Sequence, residues 1–327
     1  MESRIVRVLL GTLLLTLFVA RPAAADMGSV YGVDIGVREE SQKAVILHNG
    51  EQEVLILGTD LQADTRGGIL RFIPFPSAPS VSLAPAGIFD RVLELAHAHR
   101  LQFIEMTKGG SRAAPVQLLL HQRLGSHDVT VVKVQDAAHF RRWVNDFFAA
   151  RKLPLRDAYP AVETVVQDYV SRGIAYFVLD FVEVGTDPRT VDPVVYRFAS
   201  KSLYYPLKTS NTFGGSGAIE LFVVLPRTLC DPMESQFHPC QQLFERVSTS
   251  SRVTPAELVS IEPDAAAFFG TGNLYLQMLA HWGAYEFDRD LLADPMGGVD
   301  EALEPERYEY DGLRERFGEI LQPEQKQ

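Results

Sequence analysis

Residues 128–184 read DVTVVKVQDAAHFRRWVNDFFAARKLPLRDAYPAVETVVQDYVSRGIAYFVLDFVEV, and this stretch decides the fold class. Asp128–Gln135, DVTVVKVQ, is rich in Val and predicts a strand. Asp136 follows, placed to accept hydrogen bonds from the exposed N–H groups of a helix's first turn. Phe140, Trp143, Val144, Phe147 and Phe148 then recur at helical spacing as one apolar stripe. A second helix repeats the pattern through Val162, Val165, Val166, Tyr169 and Val170. Pro160 lies in its first turn and Gly173 just past its end, where each is favoured. Ile174–Val184, IAYFVLDFVEV, is apolar nearly throughout and predicts a central strand. The unit is strand–helix–helix–strand, and its aromatic stripe is read as core, with no ligand assigned to Trp143 or the Phe residues.

Toward the N-terminus, Lys43–Gly58 reads KAVILHNGEQEVLILG. Two apolar runs flank Asn49-Gly50, which accepts the positive φ of a tight turn and so predicts a hairpin. His48 then has a structural place beside the turn. Ile69–Pro76, ILRFIPFP, predicts a strand that its prolines end. Ser77–Pro85 is read as a loop, and Ala86–Leu101 as a helix with Phe89, Val92, Leu93 and Ala96 on one face. Toward the C-terminus, Val194–Ala199, Ser202–Leu207 and Ala218–Leu225 predict strands. Gly214-Gly215-Ser216-Gly217 lacks the Lys-Ser/Thr of a phosphate loop and leads into a strand, so it is read as a flexible hairpin loop. Thr254-Pro255-Ala256-Glu257 predicts a capped helix start, and Asn273–Trp282 a buried helix. The sum is an α+β fold: mainly antiparallel sheets, the strand–helix–helix–strand unit, and peripheral helices.

Residues 1–25 carry a short basic start (Arg4, Arg7), the uncharged run VLLGTLLLTLFVA, and Ala23-Ala24-Ala25 before Asp26. This is the pattern of a cleaved secretory signal peptide. The apolar run is shorter than the roughly 20 residues that cross a bilayer. We therefore expect export to the periplasm or the extracellular space and no stable membrane insertion afterwards. Residues 26–299 are expected to form the exported domain, in one body or two lobes, and 300–327 an acidic, partly ordered tail. Three Arg and one Glu leave with the signal, so the formal charge falls from −11 to −13. Such a chain repels phosphate backbones, which argues against nucleic acid as a partner.

Cys230 and Cys240, in CDPMESQFHPC, are the only two cysteines. Outside the cytoplasm a close pair reads first as a disulfide, here one that holds a surface loop and does no chemistry. Closing so short a loop stabilises a fold by roughly 2–3 kcal/mol in the chain-entropy picture. The competing reading makes Cys230, His238 and Cys240 soft metal ligands, but the spacing is not that of common zinc sites. No metal or other cofactor is expected.

The segments KAVILHNGEQEVLIL, RFIPFPSAPSV, DVTVVKVQDAAHFRRWVNDFF, VVQDYVSRGIAYFVLDF, SLYYPLKTS, ELFVVLP and NLYLQMLAHWGAYEFDRDLL occur in that order. Their combination, from about Gln42 to Leu292, resembles an exported bacterial family known as domain of unknown function 2330. The resemblance implies an exported, mixed α and β protein. It implies no activity, cofactor or catalytic residue.

A hydrolase of the cell envelope needs a nucleophile with a base, or paired carboxylates. The sequence holds no G-x-S-x-G, S-x-x-K or H-E-x-x-H pattern. Thr107-Lys108-Gly109 has the K-T-G of penicillin-binding proteins in the wrong order. His97 and His99, two apart on a helix, face different directions. His121, His127, His139 and His281 are scattered and read as solvated or core-edge residues. Asp180 and Glu183, three apart on a strand, point to opposite faces and make a poor acid–base pair. The best candidate surface is aromatic: Phe72 and Phe75 near the proline turn, with Tyr204, Tyr205 and Lys208 in SLYYPLK. Adjacent Tyr204 and Tyr205 must face opposite sides of a strand. Two functions compete: a non-catalytic module that binds a protein or glycan of the envelope, and an envelope hydrolase whose site is assembled from distant residues. The missing catalytic patterns favour the module.

Overall fold

The computed structural model describes residues 28–31, 35–107, 110–115, 123–124, 127–212, 216–230, 239–295 and 298–299. The expected signal segment, the C-terminal tail, Lys108, His121, Gly214-Gly215 and His238 lie outside these residues.

The chain opens with β1 (Gly28–Val30), followed by the expected hairpin of β2 (Val37–His48) and β3 (Gln52–Ala63). At its turn Gly50 takes φ 98°, and the Asn49 side chain accepts from the N–H groups of Glu51 and Gln52. β4 (Gly67–Phe75) is followed by β5 (Ser80–Leu83), a short strand in the segment read as loop. Backbone pairing with Val194–Arg197 defines it; its Ser-Val-Ser-Leu alternation spans only four residues, between Pro79 and Pro85, too short to mark a strand. Next come α1 (Ile88–Ala98), β6 (Gln102–Thr107), β7 (Gly110–Pro115), β8 (Arg123–Leu124) and β9 (Asp128–Lys133).

The predicted unit then appears as read: β9, α2 (Ala137–Ala150), α3 (Pro160–Ser171) and β10 (Tyr176–Val184). Asp136 Oδ1 accepts from His139 N–H at 2.8 Å, Pro160 opens α3, and Gly173 takes φ 82° past its end. There follow β11 (Arg189–Val191), β12 (Val194–Ala199), β13 (Leu203–Tyr205), a 3-10 turn (Leu207–Thr212) and β14 (Ser216–Leu225). The C-terminal part holds α4 (Pro239–Leu243), β15 (Arg246–Ser248), β16 (Ser251–Val253), α5 (Pro255–Leu258) and α6 (Ala265–Phe269). It ends in β17 (Leu274–Ala284), β18 (Leu291–Asp294) and β19 (Gly298–Val299).

β17 corrects the expected helix at Asn273–Trp282. Leu274, Leu276, Met278 and Ala280 form one buried row and Gln277 and Leu279 the other. A strand buried on both faces shows a continuous apolar run that periodicity alone does not separate from a buried helix.

β10 is central in a four-stranded sheet of order β1-β4-β10-β9, while β2, β3, β14 and β17 run through the middle of a twelve-stranded one. β14 runs parallel to β2 and β8 parallel to β11; the other pairings among the described residues are antiparallel. The layers follow from side-chain alternation. Leu70, Phe72, Phe177 and Leu179 turn to α2 and α3, with Phe72 on Phe140 at 5.4 Å and Phe147 on Phe181 at 5.8 Å between ring centroids. Ile73, Phe75 and Val178 turn the other way, onto the inner face of the large sheet at Ala44, Ile46, Leu55 and Leu57. The outer face, with Val45, Leu47, Val54, Ile56, Val224 and Leu276, is covered by α1, α5 and α6. Cys230 and Cys240, both buried, form a disulfide with Cα atoms 6.1 Å apart. Oxidised, they are not the thiolates a metal takes.

Candidate functional site

The aromatic residues expected at the surface are core. Phe72 and Phe75 are fully buried because β4 is covered on both faces. Phe75 packs on Tyr196 and Phe198 at 5.1 and 5.0 Å. Tyr204 and Tyr205 are also buried, and their hydroxyls diverge, one donating to Pro74 O at 3.2 Å and the other to Gln42 Oε1 at 2.6 Å. A neighbouring proline turn signals a chain reversal, and β12 and β13 pack over that reversal. Lys208 goes elsewhere: its Nζ lies 3.0 Å from Asp168 Oδ2, and its N–H donates to buried Asp290 at 2.9 Å. Tyr169 and Arg172 meet the same Asp290 at 2.7 and 3.0 Å, fastening α3 to the 3-10 turn. The five residues share no surface.

A second cluster lies between the two sheets. Arg71 and Asp180 are direct partners across β4 and β10 and form a buried ion pair. Arg71 also donates to Thr59 Oγ1 on β3. His127 bridges Asp180 Oδ2 at 2.8 Å and Asp192 O at 2.9 Å, so its side chain is covered and not solvated, at the core's edge beside exposed Asp128. Burial works against the Asp180 charge, but Arg71 and His127 outweigh it and hold the carboxyl below its usual range. Glu183 points out, 3.5 Å from Arg66, as the strand alternation required. At the hairpin end, burial pushes His48 down to about 4 and Glu53, its cross-strand neighbour, well up. His48 Nδ1 accepts from Gly50 N–H, the structural place expected for it. These groups are locked into packing.

The outer face of the large sheet is different. Reading across β17, β14, β2 and β3, one row is Met278–Phe222–Val45–Ile56, all buried. The next is Ala280–Glu220–Lys43–Gly58, extended on β15 by Arg246. The third is Trp282–Ala218–Ser41–Asp60. Cover from α1 still reaches the second row, where Lys43 is buried and a Cβ on Gly58 would meet the Phe89 ring at 2.5 Å. Burial lowers the Lys43 ammonium against the charges of Asp60, Glu220 and Asp90. Asp60 accepts from Ser41 Oγ at 2.5 Å and Thr190 Oγ1 at 2.7 Å. Trp282 is 40% exposed. Its ring lies 3.8 Å from the Arg246 guanidinium carbon, and its backbone N–H donates to Glu245 Oε2 at 2.8 Å. Glu245 Oε1 meets His281 Nδ1 at 3.0 Å. A rigid indole at the polar end of a sheet offers contact area at little entropic cost. Sequence reading placed Trp282 on a helix and so missed it; the polar residues near its strand end were the available signal.

A third polar group joins the end of α1 to β16 and α5. His99 Nδ1 lies 3.0 Å from Ser251 Oγ, and its Nε2 2.9 Å from Glu257 Oε1. Thr254 and Glu257 form the capping box expected of α5.

The chain belongs to the family of uncharacterized proteins conserved in bacteria known as domain of unknown function 2330, whose profile matches residues 21–267. No curated protein matches it significantly. Among solved structures, baculovirus P35 is similar at TM-score 0.45 and 8% identity, over 80% of this chain and 97% of that one. A mutated baculovirus P35 after caspase cleavage gives 0.41 and 7%, over 77% and 98%.

Proposed function

We propose that this member of an uncharacterized bacterial family is an exported binding module of the cell envelope. In this reading residues 1–25 are removed on export, and the protein works in the periplasm or outside the cell. The disulfide and the leader-like sequence support that location. The observation that carries the binding role is Trp282, exposed yet held by Arg246 and Glu245 at the polar end of the large sheet. The ring supplies apolar contact, and Arg246 and Asp60 supply the flanking polar groups that orient a protein or glycan of the envelope. No bond is made or broken at this face.

The chain has two tryptophans, so Trp143→Phe leaves Trp282 as the sole indole reporter. Titrating that variant with separated glycan and protein fractions of the envelope should quench or shift its fluorescence with one of them. Retention of the same fraction on immobilised wild type should fall at least tenfold in Trp282→Ala. An indole unmoved by both fractions, or retention indifferent to Trp282→Ala, overturns the proposal.

A further inference from the structure

We infer that Ser251, His99 and Glu257 form a nucleophilic relay that gives this chain an acyl-transfer activity, separate from the Trp282 face. Ser251 pairs with Leu276 and Trp282 lies six residues along the same strand, so the two places are ~20 Å apart.

Three elements meet here for local reasons. α1 ends at Ala98, which leaves His99 as its C-cap. Ser251 opens β16 and, like Leu276 beside it, points to the side of the sheet where α1 and α5 pack. Glu257 is fixed before it meets the histidine, because its Oε2 accepts from Thr254 N–H at 2.8 Å and Thr254 Oγ1 at 2.7 Å. One carboxylate oxygen therefore closes the capping box, and the other is left to orient the imidazole. The Thr254 hydrogen bonds come first among the causes that hold this carboxyl below its usual range. An ionised carboxylate can only accept, so His99 Nε2 carries the proton it shares with Glu257. Nδ1 is then the acceptor, and it faces the Ser251 hydroxyl at 3.0 Å. This is the order of roles in a nucleophile–base–orienter relay: hydroxyl, imidazole and acid, each within hydrogen-bond reach of the next. Ser251 and His99 are half-buried and Glu257 is exposed, so the group lies at the surface and not in the core.

The substrate class is a carboxylic ester. The Ser251 Oγ–H bond breaks, its proton passes to His99 Nδ1, and Oγ bonds to the carbonyl carbon. Collapse breaks the ester C–O bond, and the leaving alkoxide takes the proton from Nδ1. Water then repeats the sequence on the acyl-serine and restores Ser251. Ser251 and His99 are the catalytic residues, and Glu257 is a positioning residue.

The test uses the purified mature protein with p-nitrophenyl acetate and with a fluorophosphonate probe, read by peptide mass spectrometry. We expect a covalent adduct on Ser251 and a burst of nitrophenolate. Both should be lost in Ser251→Ala and fall about 10²-fold or more in His99→Ala. Added imidazole should restore labelling to His99→Ala but not to Ser251→Ala, a rescue that a purely structural histidine would not show. Glu257→Gln keeps the capping box and should slow labelling with α5 intact. No adduct on the wild type overturns the inference, and so does labelling that is unchanged in His99→Ala. Neither result touches the Trp282 fluorescence, so this inference and the binding reading stand or fall separately.

Discussion

The space between the two sheets and the outer face of the large sheet hold the same kinds of residue and treat them in opposite ways. Between the sheets, Arg71, Asp180 and His127 are buried and closed on one another. On the outer face, beyond the reach of α1, Arg246 lies along an exposed Trp282 and Asp60 sits at the rim. The difference lies in cover. An ion pair under two layers must be complete, because an uncompensated charge there costs several kcal/mol. A charge at an open sheet end keeps contact with water and can exchange that contact for a ligand.

The harshest way to break this comparison is to remove one partner from the inner cluster. Arg71→Met leaves the Asp180 carboxylate buried without its guanidinium and should cost about 3–5 kcal/mol in chemical denaturation. Arg71→Met combined with Asp180→Leu should recover most of that loss. A single substitution costing under about 1 kcal/mol would mean that water reaches the cluster and that the inner region resembles the outer.

pH sharpens the comparison at the end of the hairpin. Folded His48 titrates at about 4, against 6.5 when free. As pH falls below 6.5 the unfolded chain takes up its proton first, so stability present at neutral pH is lost progressively down to about 4. Relative to His48→Gln, the wild type should lose about 3 kcal/mol between pH 7 and pH 4. Glu53 titrates in both proteins and largely cancels from the difference. A gap that stays constant with pH would show that His48 is solvated.

The smallest effect is expected outside. Trp282→Ala gives up the Arg246 contact and should lower stability by about 1 kcal/mol or less, while abolishing retention of the envelope ligand. A loss of about 3 kcal/mol or more would place Trp282 with the core and remove the contrast between the regions.

Local elements were legible in the sequence because their causes act within a few residues. The Asn49-Gly50 turn, the Asp136 cap, the two helices after β9 and the Thr254–Glu257 box all depend on backbone geometry and near neighbours. Asn273–Trp282 was misread because burial on both faces erases the alternation that marks a strand. The candidate site was less legible still. Phe72, Phe75, Tyr204 and Tyr205 look like surface anchors beside turns, and the layers above them made them core. Lone charges inside apolar strands, Arg71 in ILRFIPFP and Asp180 in IAYFVLDF, were a signal of pairing.

By itself, then, the sequence determined the α+β class, the strand–helix–helix–strand unit, the hairpin and the family. Periodicity, capping and turn chemistry are short-range and written in consecutive residues. Tertiary structure alone decided which side chains are covered and which distant groups meet. His99 contacts Ser251 and Glu257 across 152 and 158 positions, and Arg71 contacts Asp180 across 109. Such meetings follow from strand order and layer packing, which depend on the free energy of the whole chain and leave no mark at fixed spacing.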